Sequence, residues 1–148
     1  MSEHNPHQSS LKLVLVDDHE RARDALARRL SVDRRIDVVG ATSDLSEALR
    51  VIELHVPHVA LVDTRRQDEA GLAVITALAA LPEAARPLVV VHTSFFDAEE
   101  WRRSRDAGAH EWLLKQIDVD VLFDRLSSAV LEQLPPSRWL AESHVSNA

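Results

Sequence analysis

Four apolar runs in this chain each end in residue types suited to phosphoryl chemistry: Val16-Asp17-Asp18, Val62-Asp63, His92-Thr93 and Leu114-Lys115. Carboxylates hold a divalent cation, one of them can accept a phosphoryl group, and a hydroxyl and an ammonium grip its oxygens. A transferring phosphoryl group spreads negative charge over its oxygens, so the chemistry needs charge neutralisation more than covalent machinery. Magnesium takes hard oxygen ligands and keeps several waters, so Asp17, Asp18 and Asp63 with a backbone carbonyl make a fitting Mg2+ site. Asp63 is the best acceptor, because it ends the central predicted strand beside a loop that an external donor can approach; the product would be an acyl phosphate. Taken singly, these residues have ordinary explanations: an acidic pair is usually a solvated loop or a helix cap. Their order along successive strand ends is the specific feature, since ligands of an open parallel sheet bind outside the carboxyl ends of its strands.

The elements that would carry these residues alternate along the chain. Leu11 to Val16 is rich in aliphatic residues and stops at two aspartates, and from Glu20 to Leu30 apolar residues fall at helical spacing. A second strand begins at Ile36-Asp-Val-Val-Gly40, and Asp44 is placed to cap a helix bearing Leu45, Ala48, Leu49 and Ile52. His58 to Val62 reads as a strand buried on both faces, followed by a helix from Leu72 to Leu81 that Pro82 ends. Leu88 to Val91 is a fourth strand, and the helix from about Ala98 to Ala107 stops at Gly108, which accepts positive φ. Glu111 to Leu114 is the fifth strand, and Leu122, Leu126, Val130 and Leu134 stripe a last helix that begins at Val119. Five such alternations imply an α/β sandwich with a parallel, doubly wound sheet, because parallel neighbours need crossover connections. An eight-unit barrel needs about 250 residues, and this chain has 148.

Composition bounds the rest. With 45% apolar content the chain suits one globular domain, and 24 acidic against 17 basic residues give a formal charge of −7. That balance disfavours direct binding to nucleic acid, and no helix-turn-helix pattern follows the last helix. With no cysteine there is neither a disulfide nor a thiolate nucleophile, which fits a cytoplasmic protein. The polar start, residues 1–10, lacks a secretory pattern and is expected to be a tail, as are residues 135–148. No apolar run approaches the roughly 18 residues that cross a bilayer, so no membrane association is expected. The eight histidines are scattered, with His4, His7 and His144 in the tails, and do not form a metal pattern. His19 reads as a loop-to-helix residue.

The ordered set Val-Asp-Asp-His19, Leu-Val-Asp63, Val-His-Thr-Ser94 and Gly-Ala-His-Glu-Trp-Leu-Leu-Lys115 resembles the receiver domain of two-component response regulators over about residues 11 to 134. The phrases Asp-Asp-His, Val-Val-Gly and Gly-Ala…Leu-Leu-Lys look most like receivers that precede LuxR-type DNA-binding domains. The resemblance implies a flavodoxin-like (βα)5 fold with strand order 2-1-3-4-5. It also implies Asp18 as direct magnesium ligand, Asp17 as its water-mediated partner, Asp63 as phosphoacceptor and Arg65 as donor of a backbone carbonyl. Thr93 and Lys115 match the switch hydroxyl and the lysine, and Trp112 takes the place of a switch aromatic that is usually tyrosine or phenylalanine. Arg66-Gln67 replaces the usual Met-Pro pair, whereas Gly71 keeps its place; Gln116 stands where proline is common. Arg65 and Phe95 resemble two variable positions bordering the path of the attacking water, which implies slow self-dephosphorylation.

The expected function is therefore a switch rather than a metabolic enzyme. A sensor histidine kinase or phosphotransfer protein would supply the phosphoryl group, with Mg2+ as cofactor. The response would be a change on the face made by the fourth helix, fifth strand and fifth helix, which could bind a partner or a second copy as a homodimer, as in the regulatory part of a transcriptional regulator. A phosphorylation-independent interaction module is the alternative. An aspartate-nucleophile phosphohydrolase fits less well, since Arg65 stands where its second aspartate belongs.

Overall fold

The computed structural model describes residues 10–65 and 70–139. The chain alternates strand and helix: β1 (Leu11–Val16), α1 (Glu20–Ser31), β2 (Ile36–Thr42), α2 (Leu45–His55), β3 (Val59–Val62), α3 (Gly71–Ala79), β4 (Leu88–Thr93), α4 (Ala98–Ala107), β5 (Glu111–Leu114) and α5 (Val119–Gln133). The strands form one parallel sheet in the order β2-β1-β3-β4-β5. This is the expected order, and its physical basis is visible in the strand sequences. Successive side chains of a strand point to opposite faces, and β1, β3 and β4 are apolar on both. Leu13, Leu15, Val59, Leu61 and Val90 pack with Leu30 of α1 and Leu122 and Leu126 of α5. Val14, Val16, Ala60, Val62, Val89 and Val91 pack with Ala48 and Ile52 of α2 and with Val74, Ile75 and Leu78 of α3. Helices therefore cover both faces, as a sheet with two apolar sides requires.

The chain leaves β1 toward β2 on one side and returns to β3 on the other. Between β1 and β3 lies the point where the winding reverses and a crevice opens at the carboxyl ends. Backbone pairing continues into that crevice and fixes the residues there. Asp17 N–H donates to Thr42 O at 3.0 Å, Asp63 N–H to Val16 O at 3.0 Å, and Lys115 N–H to Thr93 O at 2.7 Å.

Several boundaries differ from the sequence pattern. β2 extends to Thr42 and β4 to Thr93, because ladder bonds persist after the aliphatic run ends. α3 begins at Gly71 and ends at Ala79. A Cβ on Gly71 would lie 2.7 Å from Thr64 Cα and 2.8 Å from Thr64 O, so only glycine lets the helix start this close to the end of β3. Asp44 occupies the position before α2, but its side chain makes no capping bond; its own N–H donates to Thr42 Oγ1 at 3.0 Å. Asp97 does cap α4, accepting from Glu100 N–H at 3.0 Å. Gly108 ends α4 with φ 123°, as its position implied.

After α5, Pro136–Arg138 forms a 3-10 turn. The Arg138 guanidinium donates to the carbonyls of Pro57 (3.0 Å), Glu83 (3.2 Å) and Arg86 (2.7 Å), at the amino ends of β3 and β4. Trp139 packs against the α1/α5 core. His4, His7, the Arg66-Gln67 pair and His144 lie outside the described residues. Among those described, no helix is long and apolar enough to cross a membrane.

Candidate phosphoryl-transfer site

Asp17, Asp18 and Asp63 meet at the crevice between β1 and β3. Asp63 is only 3% exposed and Asp17 5%. Lys115, one residue past β5, reaches back across the sheet end: its Nζ donates to Asp17 Oδ2 and to Asp63 Oδ2, each at 2.7 Å. Asp63 Oδ1 accepts from Arg65 N–H at 2.8 Å. Asp17 and Asp63 each stand one step beyond a buried strand and Lys115 one step beyond β5, so the backbone is held by the ladder while the side chain turns toward the crevice.

Burial pushes the Asp17 carboxyl up, but the Lys115 ammonium and the N–H groups of His19 outweigh it and hold the carboxyl below its ordinary range. Burial likewise opposes the charge of Lys115, and the hydrogen bonds to Asp17 and Asp63 raise its pKa above the ordinary lysine value. The pair is thus ionised on both sides across the physiological range.

His19 joins this cluster, which the sequence did not signal. It stands immediately before α1, as a loop-to-helix residue would, but its ring turns into the acids. Its Nδ1 lies 2.8 Å from Asp17 Oδ1, 3.1 Å from Asp63 Oδ2 and 3.3 Å from Asp18 Oδ1. The hydrogen bond to Asp17 raises the imidazole pKa, against desolvation, with further attraction from Asp17 and Asp63. Asp17, Asp18 and His19 offer ligand atoms within 4.8 Å of one another. Three carboxylates drawing in a lysine and an imidazole are a donor set that fits a hard divalent cation.

Thr93 ends β4 and is buried; its hydroxyl donates to Phe95 O at 3.1 Å rather than to a carboxylate. Trp112 sits in β5 opposite Val91 and stacks on Phe96, with ring centroids 4.3 Å apart. The Arg65 guanidinium carbon lies 3.7 Å above the Phe95 ring. The sequence placed Arg65 and Phe95 near the site but could not show that they stack. Thr64 and Glu100 are also missed members, joined by a 2.9 Å hydrogen bond from Thr64 Oγ1 to Glu100 Oε1.

The response regulator receiver domain family model matches residues 13–127. The chain belongs to that family. LiaR, a transcriptional regulatory protein of Bacillus subtilis, is 31% identical to this receiver over 119 residues, covering 80% of this chain and 56% of LiaR. VraR, a response regulator of Staphylococcus aureus, is 32% identical over 78% of this chain and 54% of its own. The receiver thus spans about half the length of these relatives. Among solved structures, the signal receiver domain of NarL from Mycobacterium tuberculosis superposes with a TM-score of 0.67 at 27% identity, covering 80% of this chain and 98% of that one. A LuxR-family two-component response regulator from an Aurantimonas species shares the fold, with a TM-score of 0.71 at 20% identity over 93% of this chain and 99% of that one. This is a receiver domain homologous to transcriptional regulators of two-component systems.

Proposed function

We propose that this receiver, residues 11–134 flanked by residues 1–10 and 135–148, works in the cytoplasm and takes a phosphoryl group onto Asp63 from a phosphohistidine of a sensor kinase or phosphotransfer protein. The supporting observation is the Lys115 ammonium shared at 2.7 Å by Asp17 and Asp63 at the winding reversal of the sheet. An Asp63 oxygen bonds to phosphorus as the P–N bond breaks, and the electron pair returns to the donor imidazole. Lys115 neutralises charge on Asp63 and the entering oxygens, and Thr93 turns its hydroxyl from Phe95 O toward them. Asp18, Asp63 and the Arg65 carbonyl would hold Mg2+, with Asp17 acting through water, and the ion would supply the remaining neutralisation. Inward movement of Thr93 opens space for Trp112 to repack, which biases the α4-β5-α5 face toward a partner or a second copy of the chain. The formal charge of −7 opposes direct contact of this chain with nucleic acid.

Incubation with acetyl phosphate, read by intact mass, tests the proposal. One phosphoryl group per chain is expected in Mg2+ and none in EDTA. No gain in Mg2+ would favour a phosphorylation-independent interaction module.

The Arg65 backbone N–H donates to the acceptor Asp63 and Phe95 O accepts from the Thr93 hydroxyl, and the bulk of their stacked side chains should hinder attacking water. Phe95→Ala is expected to speed phosphate release about five-fold, equivalent to roughly 1 kcal/mol of barrier. An unchanged rate in Phe95→Ala and Arg65→Ala would count against this role.

A further inference from the structure

Arg65 lies two residues beyond the acceptor, yet its guanidinium rests against the start of α4. It is 3.6 Å from Asp97 Oδ2 and 3.7 Å from Glu100 Oε2. These separations exceed good hydrogen-bond lengths, and Arg65 Nε is buried with no hydrogen-bond partner among the described residues. Among the described residues the group is held by charge and by the face of Phe95 rather than by hydrogen bonds from its fork of donors. Asp97 and Glu100 are themselves structural: Asp97 caps α4 through Glu100 N–H, and Glu100 accepts the Thr64 hydroxyl. The two residues that follow the acceptor thus hold Asp97 and Glu100, two of the three acids at the start of α4.

A phosphoryl group brings about two negative charges and three acceptor oxygens, and a guanidinium pairs with such oxygens bidentately. That pairing is stronger than two loose contacts with carboxylates. We propose that Arg65 is a latch: at rest it bridges to Asp97 and Glu100, and a phosphoryl group on Asp63 takes the guanidinium and loosens the first turn of α4. The latch depends on the acceptor role proposed for Asp63 and adds a route from that site to α4 separate from Thr93 and Trp112. Thr64 keeps its bond to Glu100, so the helix start becomes mobile without detaching.

Hydrogen exchange of the peptide covering residues 97–107, measured with and without acetyl phosphate and Mg2+ alongside intact mass, tests it on the whole chain. In the parent, exchange of the first turn of α4 should rise about five-fold on phosphorylation. Arg65→Ala should show the raised rate already at rest and no further rise, whereas Arg65→Lys, which keeps the charge, should retain part of the response. Arg65 is a partly exposed loop residue, so folding tolerates both changes. A mass gain with unchanged exchange in the parent, or Arg65→Ala behaving as the parent, overturns the latch alone. Absence of a mass gain overturns the acceptor role, and the latch with it.

Discussion

Asp63→Asn is expected to take up no phosphoryl group from acetyl phosphate and Mg2+ under conditions that modify the parent chain. The amide lacks the anionic oxygen that must bond to phosphorus, and loss of a nucleophile lowers rates by at least about three orders of magnitude. The substitution is otherwise mild. Asparagine matches aspartate in volume, and its oxygen can still accept the Arg65 N–H that Asp63 Oδ1 holds at 2.8 Å. Lys115 keeps its 2.7 Å bond to Asp17, and one fewer negative charge remains among the crowded carboxylates. Circular dichroism should therefore show an intact fold while intact mass shows no gain. A gain retained in Asp63→Asn would move the acceptor to Asp17 or Asp18.

His92→Leu is expected to remove a large part of the acid sensitivity of this receiver. His92 lies on β4 just before Thr93 and is 3% exposed. Its Nε2 is buried with no hydrogen-bond partner among the described residues. Burial, reinforced by repulsion from Lys115 and Arg29 against attraction to Asp17, pushes its pKa down to about 4. The imidazole is therefore neutral in the folded chain where an unfolded one, near 6.5, already binds a proton. Stability from this residue is complete above about pH 6.5 and is lost as pH falls toward 4, by about 3 kcal/mol in all. Carboxylates titrate in the same window, but they do so in both chains and cancel in the comparison. Urea unfolding at pH 7.5 and pH 4.5 should show a smaller loss for His92→Leu. At neutral pH, removing an unpaired buried nitrogen leaves the variant at least as stable. Equal losses in the two chains would show that His92 is not the acid-sensitive group.

Much of the fold was legible because its signals are local. Aliphatic runs of four residues such as Val59–Val62 and residues 88–91 must be buried on both faces, and the helices between them show their stripes at 3.6-residue spacing. Element ends were less legible. Asp44 has the residue type of a cap but makes no capping bond, whereas Asp97 does; the difference lies in side-chain direction, which depends on the approach of the preceding loop. Glycines were informative where geometry leaves no alternative, as at Gly71 against Thr64.

From the sequence alone came the alternation of strands and helices, and the set Asp17, Asp18, Asp63, Thr93 and Lys115 in chain order, since residue type and position relative to an apolar run are one-dimensional properties. The strand order required a family likeness, because a buried parallel strand carries no mark of its neighbour. Only the folded chain decided that Lys115 spans Asp17 and Asp63, that the His19 ring enters the acid cluster, and that Arg65 lies on Phe95 beside Asp97 and Glu100. Those contacts join residues up to 98 positions apart, and their geometry is set by packing across the sheet end, where no periodicity in the chain records which side chains will meet.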